Sequence, residues 1–315
     1  MKYVLAGGSG QVGTILAREL HGEGHEVVVL SRGPGRSPWR TAAWDAQSLG
    51  AWASELDGAD VVINLAGRSV NCRYTPANRR AILDSRVLST RVVGEAIARA
   101  ARPPRTWLQM SSAAIYAHRL DAPNDEATGR IGGGEPGLPA NWGFSVEVVK
   151  AWEAELDQAH TEHTRRLALR AAVVMSPDRG GIFDTLLGLV RQGLGGTAGN
   201  GRQRVSWIHE RDFVRAIRWL IEHEEFAGVV NITSPRAEPN AEFMRILRRA
   251  WGTGIGLPAS GIVLELGAWL KRTEPELVLK SRWSAPGRLL AGGFTFEYPD
   301  WEGAAVELCR NFRAG

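Results

Sequence analysis

The first thirteen residues, MKYVLAGGSGQVG, limit what this chain can fold into more than any other stretch. A short apolar run, Tyr3–Ala6, breaks into glycines at 7, 10 and 13, and a helical pattern, Gln11–Leu20, follows directly. A strand that turns on glycines into a helix brings backbone close to backbone at the turn. It also leaves the first N–H groups of the helix, at the positive end of its dipole, facing outward. That arrangement cradles a pyrophosphate, and it assigns Gly7, Ser9, Gly10, Gln11, Val12 and Gly13 to cofactor binding. The spacing is G-x-x-G-x-x-G instead of G-x-G-x-x-G, with the same demands on each glycine. The competing reading, a glycine-rich turn without a ligand, is weakened by the strand before it and the helix after it.

The rest of the first half repeats the alternation of strand and helix. Strands are expected at Glu26–Leu30, Asp60–Leu65, Thr106–Met110, Leu167–Met175 and Val229–Ile232, with helices over Ala46–Leu56 and Arg79–Ala100. Such alternation builds a parallel sheet covered on both faces. The expected fold is therefore α/β, a Rossmann-type doubly wound parallel sheet, followed by a smaller and mainly helical C-terminal lobe. The boundary is placed near 235, giving residues 1–234 and 235–315, with a substrate-side loop at 176–206. Two loops, 131–141 (IGGGEPGLPAN) and 193–202 (GLGGTAGNGR), are rich enough in glycine to be mobile or to approach a ligand closely.

Composition narrows the partners. Net charge is +4, yet the arginines are scattered and form no basic run, so nucleic acid is not an expected partner. Cys72 and Cys309 make neither a disulfide framework nor a zinc signature, and no metal is expected. The apolar start is too short for a signal peptide, and the longest later apolar run, 261–270, is short and carries Glu265. Neither can span a bilayer, so no membrane partner is expected and the cytoplasm is the expected compartment.

After the second strand an NAD site would place an acid. Here the strand runs into Ser31-Arg32-Gly33-Pro34-Gly35-Arg36, with no acid. Arg32 and Arg36 suit a 2′-phosphate, which favours NADP(H) as cofactor, although a loop arginine can equally be solvated.

Taken together, GGSGQVG (7–13), NLAG (64–67), SSAAIY (111–116), RYTPANRRAILDSRVLSTR (73–91), FSVEVVKAWEAE (144–155), GNGRQRVSWIHERD (199–212) and LLAGGFTFEYPD (289–300) resemble one group of proteins. This is an atypical branch of the extended short-chain dehydrogenases/reductases, the epimerase-family or nucleoside-diphosphate-sugar-epimerase-like branch with its own short C-terminal domain. The resemblance covers nearly the whole chain. It implies an adenine contact at Asp45, cofactor contacts along Leu65-Ala66-Gly67, and a catalytic serine at Ser112.

The wider family works through Tyr-x-x-x-Lys on a helix, and that motif is missing. The four tyrosines, Tyr3, Tyr74, Tyr116 and Tyr298, are followed four residues later by Gly7, Asn78, Leu120 and Glu302. Lys150 does not replace it. Phe144, Val148, Ala151, Trp152 and Leu156 share one helical face, and Lys150 falls opposite, three residues from Glu147 and Glu153, as an exposed ion pair would. Anchoring on Trp152-Glu153 puts Ser145 at the tyrosine position and Val149 at the lysine position.

Other groups remain. Tyr116 either passes a proton or walls the pocket. Gln203, Ser206 and Trp207 suit a polar substrate lying on an aromatic plane. His209 is either a substrate contact or a hydrogen-bonded core residue, and His118 is a further titratable group in a loop. Arg86 and Arg170 reach a phosphate or pair with acids. Two functions follow. One is an NADP(H)-dependent oxidoreductase or epimerase-like isomerase acting on a carbonyl or nucleotide-sugar type substrate. The other is a non-catalytic NADP(H)-binding sensor or partner-binding protein. The oligomeric state is left open.

Overall fold

A computed structural model describes residues 1–33, 37–259, 274 and 276–315. Alternation at the N-terminus builds the centre of the sheet. β1 (Lys2–Ala6) sends Tyr3 and Leu5 into one buried cluster and Val4 and Ala6 into the other, so both faces are covered. α1 (Gln11–Gly22) leads to β2 (Glu26–Ser31) and β3 (Arg40–Ala43). The chain then crosses back through β4 (Val61–Asn64), α2 (Pro76–Arg99), β5 (Thr106–Ser112), α3 (Gly143–Asp157) and β6 (Arg165–Ala171). β7 (Val173–Met175), α4 (Ile182–Arg191), β8 (Arg204–Val205), β9 (Trp207–His209), α5 (Glu210–Glu222) and β10 (Gly228–Ile232) follow. Beyond them lie β11 (Glu238–Pro239), α6 (Asn240–Trp251), the short α7 (Glu276–Leu279) and α8 (Gly287–Ala291), and α9 (Trp301–Ala314).

The main sheet has the order β10-β6-β5-β4-β1-β2-β3, with every pair parallel. It is the expected doubly wound α/β, Rossmann-like sheet. The chain winds outward from β1 in one direction and then from β4 in the other, so a crevice opens between their carboxyl ends. Ile15, Leu16 and Leu20 of α1 pack with Phe213, Ile217 and Leu220 of α5 on one face. Val92, Val93 and Ile97 of α2 pack with Trp107 and Leu156 on the other. A third core joins Phe183, Leu187 and Trp207 to Phe243, Leu247, Trp301 and Phe312, so the tail is buried against residues 175–207.

Three expectations need correction. The helix expected over 46–56 is only a 3-10 turn, Ala51–Glu55. The Asp45 carboxylate accepts from Gln47 N and Ser48 N at 2.8 and 2.9 Å, and Ala46 sits at φ 65°, so the local side-chain bonds compete with a helix start. The single strand expected over 167–175 is two. Arg165–Ala171 stays in the main sheet, whereas Val173–Met175 pairs with β9 in a small sheet of its own. The loop at 193–202 is tied down: Leu257 N donates to Gly193 O at 2.8 Å, and Gly199 N and Ala259 N exchange bonds with Ala259 O and Thr197 O, both at 2.9 Å. Gly196 there allows a close contact between backbones, since a Cβ would stand 2.4 Å from Leu257 C. The apolar run 261–270 lies outside the described residues.

Candidate functional site

The site is built on the carboxyl edge of the sheet. Gly7 turns the chain at φ +72°, and a Cβ there would stand 2.7 Å from Ala66 Cα. A Cβ on Gly13 would lie inside the backbone of Gly8, so the helix can meet the turn only without one. Gly10 differs: a Cβ would meet nothing within 4 Å. Gly10 caps α1 with no side-chain bond and faces open space beside Ser9, which is also exposed. Gln11 reaches across to Gly181, the cap of α4, where any Cβ would overlap its amide, and Gln11 Nε2 is buried without a partner among the described residues. Two helix N-termini and an unsatisfied amide therefore converge on one spot, as a pyrophosphate would require. Val12 packs on the core behind it.

Around this cradle, Leu65 N donates to Ala6 O at 2.8 Å and Ala66 N to Asn64 Oδ1 at 3.1 Å, which holds the Leu65-Ala66-Gly67 loop over Gly7. Arg86 lies against Gly67. Its Nη1 donates to Arg68 O and Ile82 O at 3.1 and 3.0 Å, and its guanidinium stands 5.1 Å from the Trp152 ring. Burial draws its pKa down to about 10, and no carboxylate pairs with it among the described residues. Arg32 is exposed at the end of β2, and Arg36 lies outside the described residues. Asp45 is exposed, and its bonds to Ser48 and Gln47 hold its pKa at about 2.

The catalytic expectations fare differently. Ser112 is half-buried at the end of β5, and its Oγ accepts from Ala114 N at 3.2 Å. Tyr116 is buried: its hydroxyl donates to Asn231 Oδ1 at 2.8 Å and accepts from Arg170 Nη1 at 3.1 Å, and burial pushes its pKa up. A phenol held this way passes no proton to a substrate, so the proton role expected of Tyr116 is corrected. Arg170 pairs with Glu153 at 2.7 and 2.8 Å, which settles its alternatives in favour of an acid partner. Glu153 is thereby taken, and Lys150, exposed as expected, donates to Gly132 O at 3.4 Å without the ion pair expected for it.

Val149 is buried against Ala113, Ile115 and Tyr116. Ser145 carries a cluster the sequence did not suggest. Its Oγ donates to Glu276 Oε1, and Lys280 Nζ lies 3.4 Å from Ser145 Oγ and 3.6 Å from Glu276 Oε1. Both charged groups are buried.

The substrate residues also divide. Gln203 Nε2 donates to Ala198 O at 2.9 Å, and the residue lines a cavity of about 310 Å3 with His118, Trp142 and Leu279. Ser206 Oγ accepts from Ser284 N at 2.9 Å. Trp207 is fully enclosed against Trp301, with its Nε1 on Arg236 O at 3.1 Å, so it offers no plane to a ligand. His209 is fully buried. Its Nδ1 accepts from Arg211 N at 3.2 Å, its Nε2 meets Glu307 Oε2 at 2.9 Å, and its ring stacks on Tyr298. It is the core residue of its two alternatives. His118 and Trp142 went unassigned because they stand far apart on irregular loops, where no period marks them. No group of three His, Cys, Asp or Glu suited to a metal occurs among the described residues.

Comparison with known proteins accords with this geometry. The NAD dependent epimerase/dehydratase family matches residues 3–233. The chain belongs to this family. A domain of unknown function, DUF1731, matches residues 259–308, as in the atypical branch that the sequence resembles. The human epimerase family protein SDR39U1 is 31% identical over 313 residues, 98% of this chain and 99% of the relative. The crystal structure of human SDR39U1 isoform 2 with NADPH superposes at a TM-score of 0.85 with 30% identity, covering 99% of this chain and 100% of that one. A nucleoside-diphosphate sugar epimerase from Corynebacterium glutamicum superposes at 0.76 with 28% identity, covering 98% of this chain and 58% of that one. Among the described residues no helix is long and apolar enough to cross a membrane.

Proposed function

We propose that this chain is an NADP(H)-dependent oxidoreductase or epimerase-like enzyme that works on a small carbonyl compound in the cytoplasm. The observation that carries the reading is the cradle: an open Gly10 at the cap of α1, next to a Gln11 amide that reaches the cap of α4 and has no partner among the described residues. The human relative's structure holds NADPH, and the same group fits here. When bound, the nicotinamide supplies or takes up hydride. The N–H groups at the start of α1 hold the pyrophosphate, Arg32 meets the 2′-phosphate, and the loop through Leu65, Ala66 and Gly67 lies along the dinucleotide. Arg86, charged and without a carboxylate partner among the described residues, faces the same loop. Ser112, at the end of β5, donates its hydroxyl to the substrate oxygen. We also propose that the C-terminal substrate lobe begins near residue 235.

A second reading is specifically supported by Tyr116, whose hydroxyl is occupied, and by the missing Tyr-x-x-x-Lys: a protein that binds NADPH and senses it without turnover. Fluorescence titration with NADPH and NADH separates either reading from none. Binding that favours NADPH supports the cofactor assignment, and equal affinity removes it. NADPH consumption over a carbonyl panel then divides enzyme from sensor.

A further inference from the structure

The cavity beside the carboxyl edge sets the class of substrate. It holds about 310 Å3 and lies among His118, Leu138, Trp142, Asn200, Gln203 and Leu279, and among the described residues no lysine or arginine lines it. His118 stands six residues beyond Ser112, on the segment that leaves β5, and Trp142 closes the turn into α3. Doubly wound folds take their ligands at this edge.

His118 is fixed in one tautomer. Its Nδ1 accepts from Ser281 N at 2.9 Å, so the proton of the neutral ring sits on Nε2. Its backbone N–H is held by Glu135 Oε1 at 2.8 Å, and its ring lies 5.6 Å from the Trp142 ring. Burial lowers its pKa, and the nearby Lys280 acts in the same direction against Glu135. At neutral pH the cavity therefore holds one fixed N–H donor, two amide side chains and an indole face.

Three nearby cations among the described residues are already engaged, and Arg202, beside Gln203, is exposed. Lys280 keeps its ammonium on Trp142 O, Ser145 Oγ and Glu276. Arg119 is paired to Asp121 by two bonds, at 2.9 and 2.7 Å. Arg204 donates to Ala237 O at 3.0 Å and covers the Trp283 ring. A diphosphate needs arginine or lysine to meet it, and a nucleotide sugar brings two rings and a diphosphate. The volume lies at the low end of ligand pockets, roughly 300–1,000 Å3.

We infer that this cavity takes an uncharged carbonyl compound about the size of one or two rings, stacked on Trp142 with its oxygen on His118 Nε2–H, and that it does not take a nucleotide sugar. The inference deepens the reductase reading above and rests on it for the chemistry, but binding can be measured without cofactor.

The test is ligand-observed saturation-transfer NMR on the full chain, with menadione, 4-nitrobenzaldehyde and cyclohexanone against UDP-glucose and UDP-N-acetylglucosamine. NADPH binding is followed separately by nicotinamide fluorescence, so a failed cofactor assignment is recognised on its own. At least one uncharged carbonyl is expected to bind. Leu138→Trp, which fills the cavity from a loop, should weaken it tenfold or more, and His118→Phe about tenfold, with NADPH binding unchanged in both. Neither UDP-sugar should give a signal. A UDP-sugar signal that Leu138→Trp removes overturns the proposal. So does carbonyl binding indifferent to both substitutions, or the absence of binding by every uncharged carbonyl.

Discussion

Arg32 and Tyr116 illustrate how far a single side chain can be understood from its surroundings. Arg32 follows a strand with no acid after it, and that absence was visible in the sequence because an NAD site needs the acid there. A charge-assisted bond to a phosphate is worth about 1.5–3 kcal/mol. Arg32→Asp is therefore expected to weaken NADPH by roughly ten- to a hundredfold, leaving NADH little changed, as read by fluorescence titration. Tyr116 was legible only as a tyrosine close to the expected serine. Its partner Asn231 is 115 residues away, and no local pattern announces such a bond. Tyr116→Phe leaves Asn231 Oδ1 without its donor and Arg170 Nη1 without its acceptor. It should cost about 1–3 kcal/mol of stability in urea unfolding, with NADPH consumption per folded molecule unchanged. A loss of turnover without a loss of stability would return the phenol to the chemistry.

Elements were legible where a period or a glycine spacing defines them. β1 and α1 carry both signals, and the turn between them was found with its glycines in their roles. The run through 167–175 is apolar apart from Arg170, so it carries no period that could mark where β6 ends and β7 leaves for another sheet. The stretch after Asp45 carries a helical pattern that the carboxylate's own bonds overrule. The C-terminal cluster on Ser145 was invisible because Glu276 and Lys280 come from more than 130 residues away. At the turn itself, the glycines separate fold from function. Gly13→Ala should fail to fold or lose several kcal/mol, because a Cβ meets the Gly8 backbone. Gly10→Ala meets nothing within 4 Å, so its melting temperature should stay near that of the parent while NADPH affinity falls at least tenfold. Equal NADPH affinity in Gly10→Ala would move the phosphate away from α1.

At the scale of the whole molecule, two histidines, His118 half-buried and His209 fully buried, tie the last quarter of the chain to the sheet. His118 accepts from Ser281 N, and His209 lies between Arg211 N and Glu307 of α9. Each ring uses Nδ1 as an acceptor, and a protonated imidazole has none to offer. Burial lowers both pKa values, against Glu135 for His118 and against Glu307 and Asp212 for His209, while Lys280 and Arg211 reinforce the shift. The unfolded chain then binds more protons than the native one below the ordinary histidine pKa of about 6.5. The stability from the neutral rings is complete above that value and is lost as pH falls from it toward the native pKa values. For His209 the slope is at most about 1.4 kcal/mol for each pH unit in that window. Because both links end in the tail, acid should loosen residues 276–284 and 297–312 before it loosens β1 and β5. Amide hydrogen exchange between pH 7.5 and 5, corrected for the intrinsic pH dependence of exchange, reads this directly. Protection should drop first in those two segments, and His118→Asn, which keeps an oxygen acceptor that does not titrate, should flatten the response in 276–284 alone. Uniform loss of protection across sheet and tail would mean that the histidines do not govern how the tail is held.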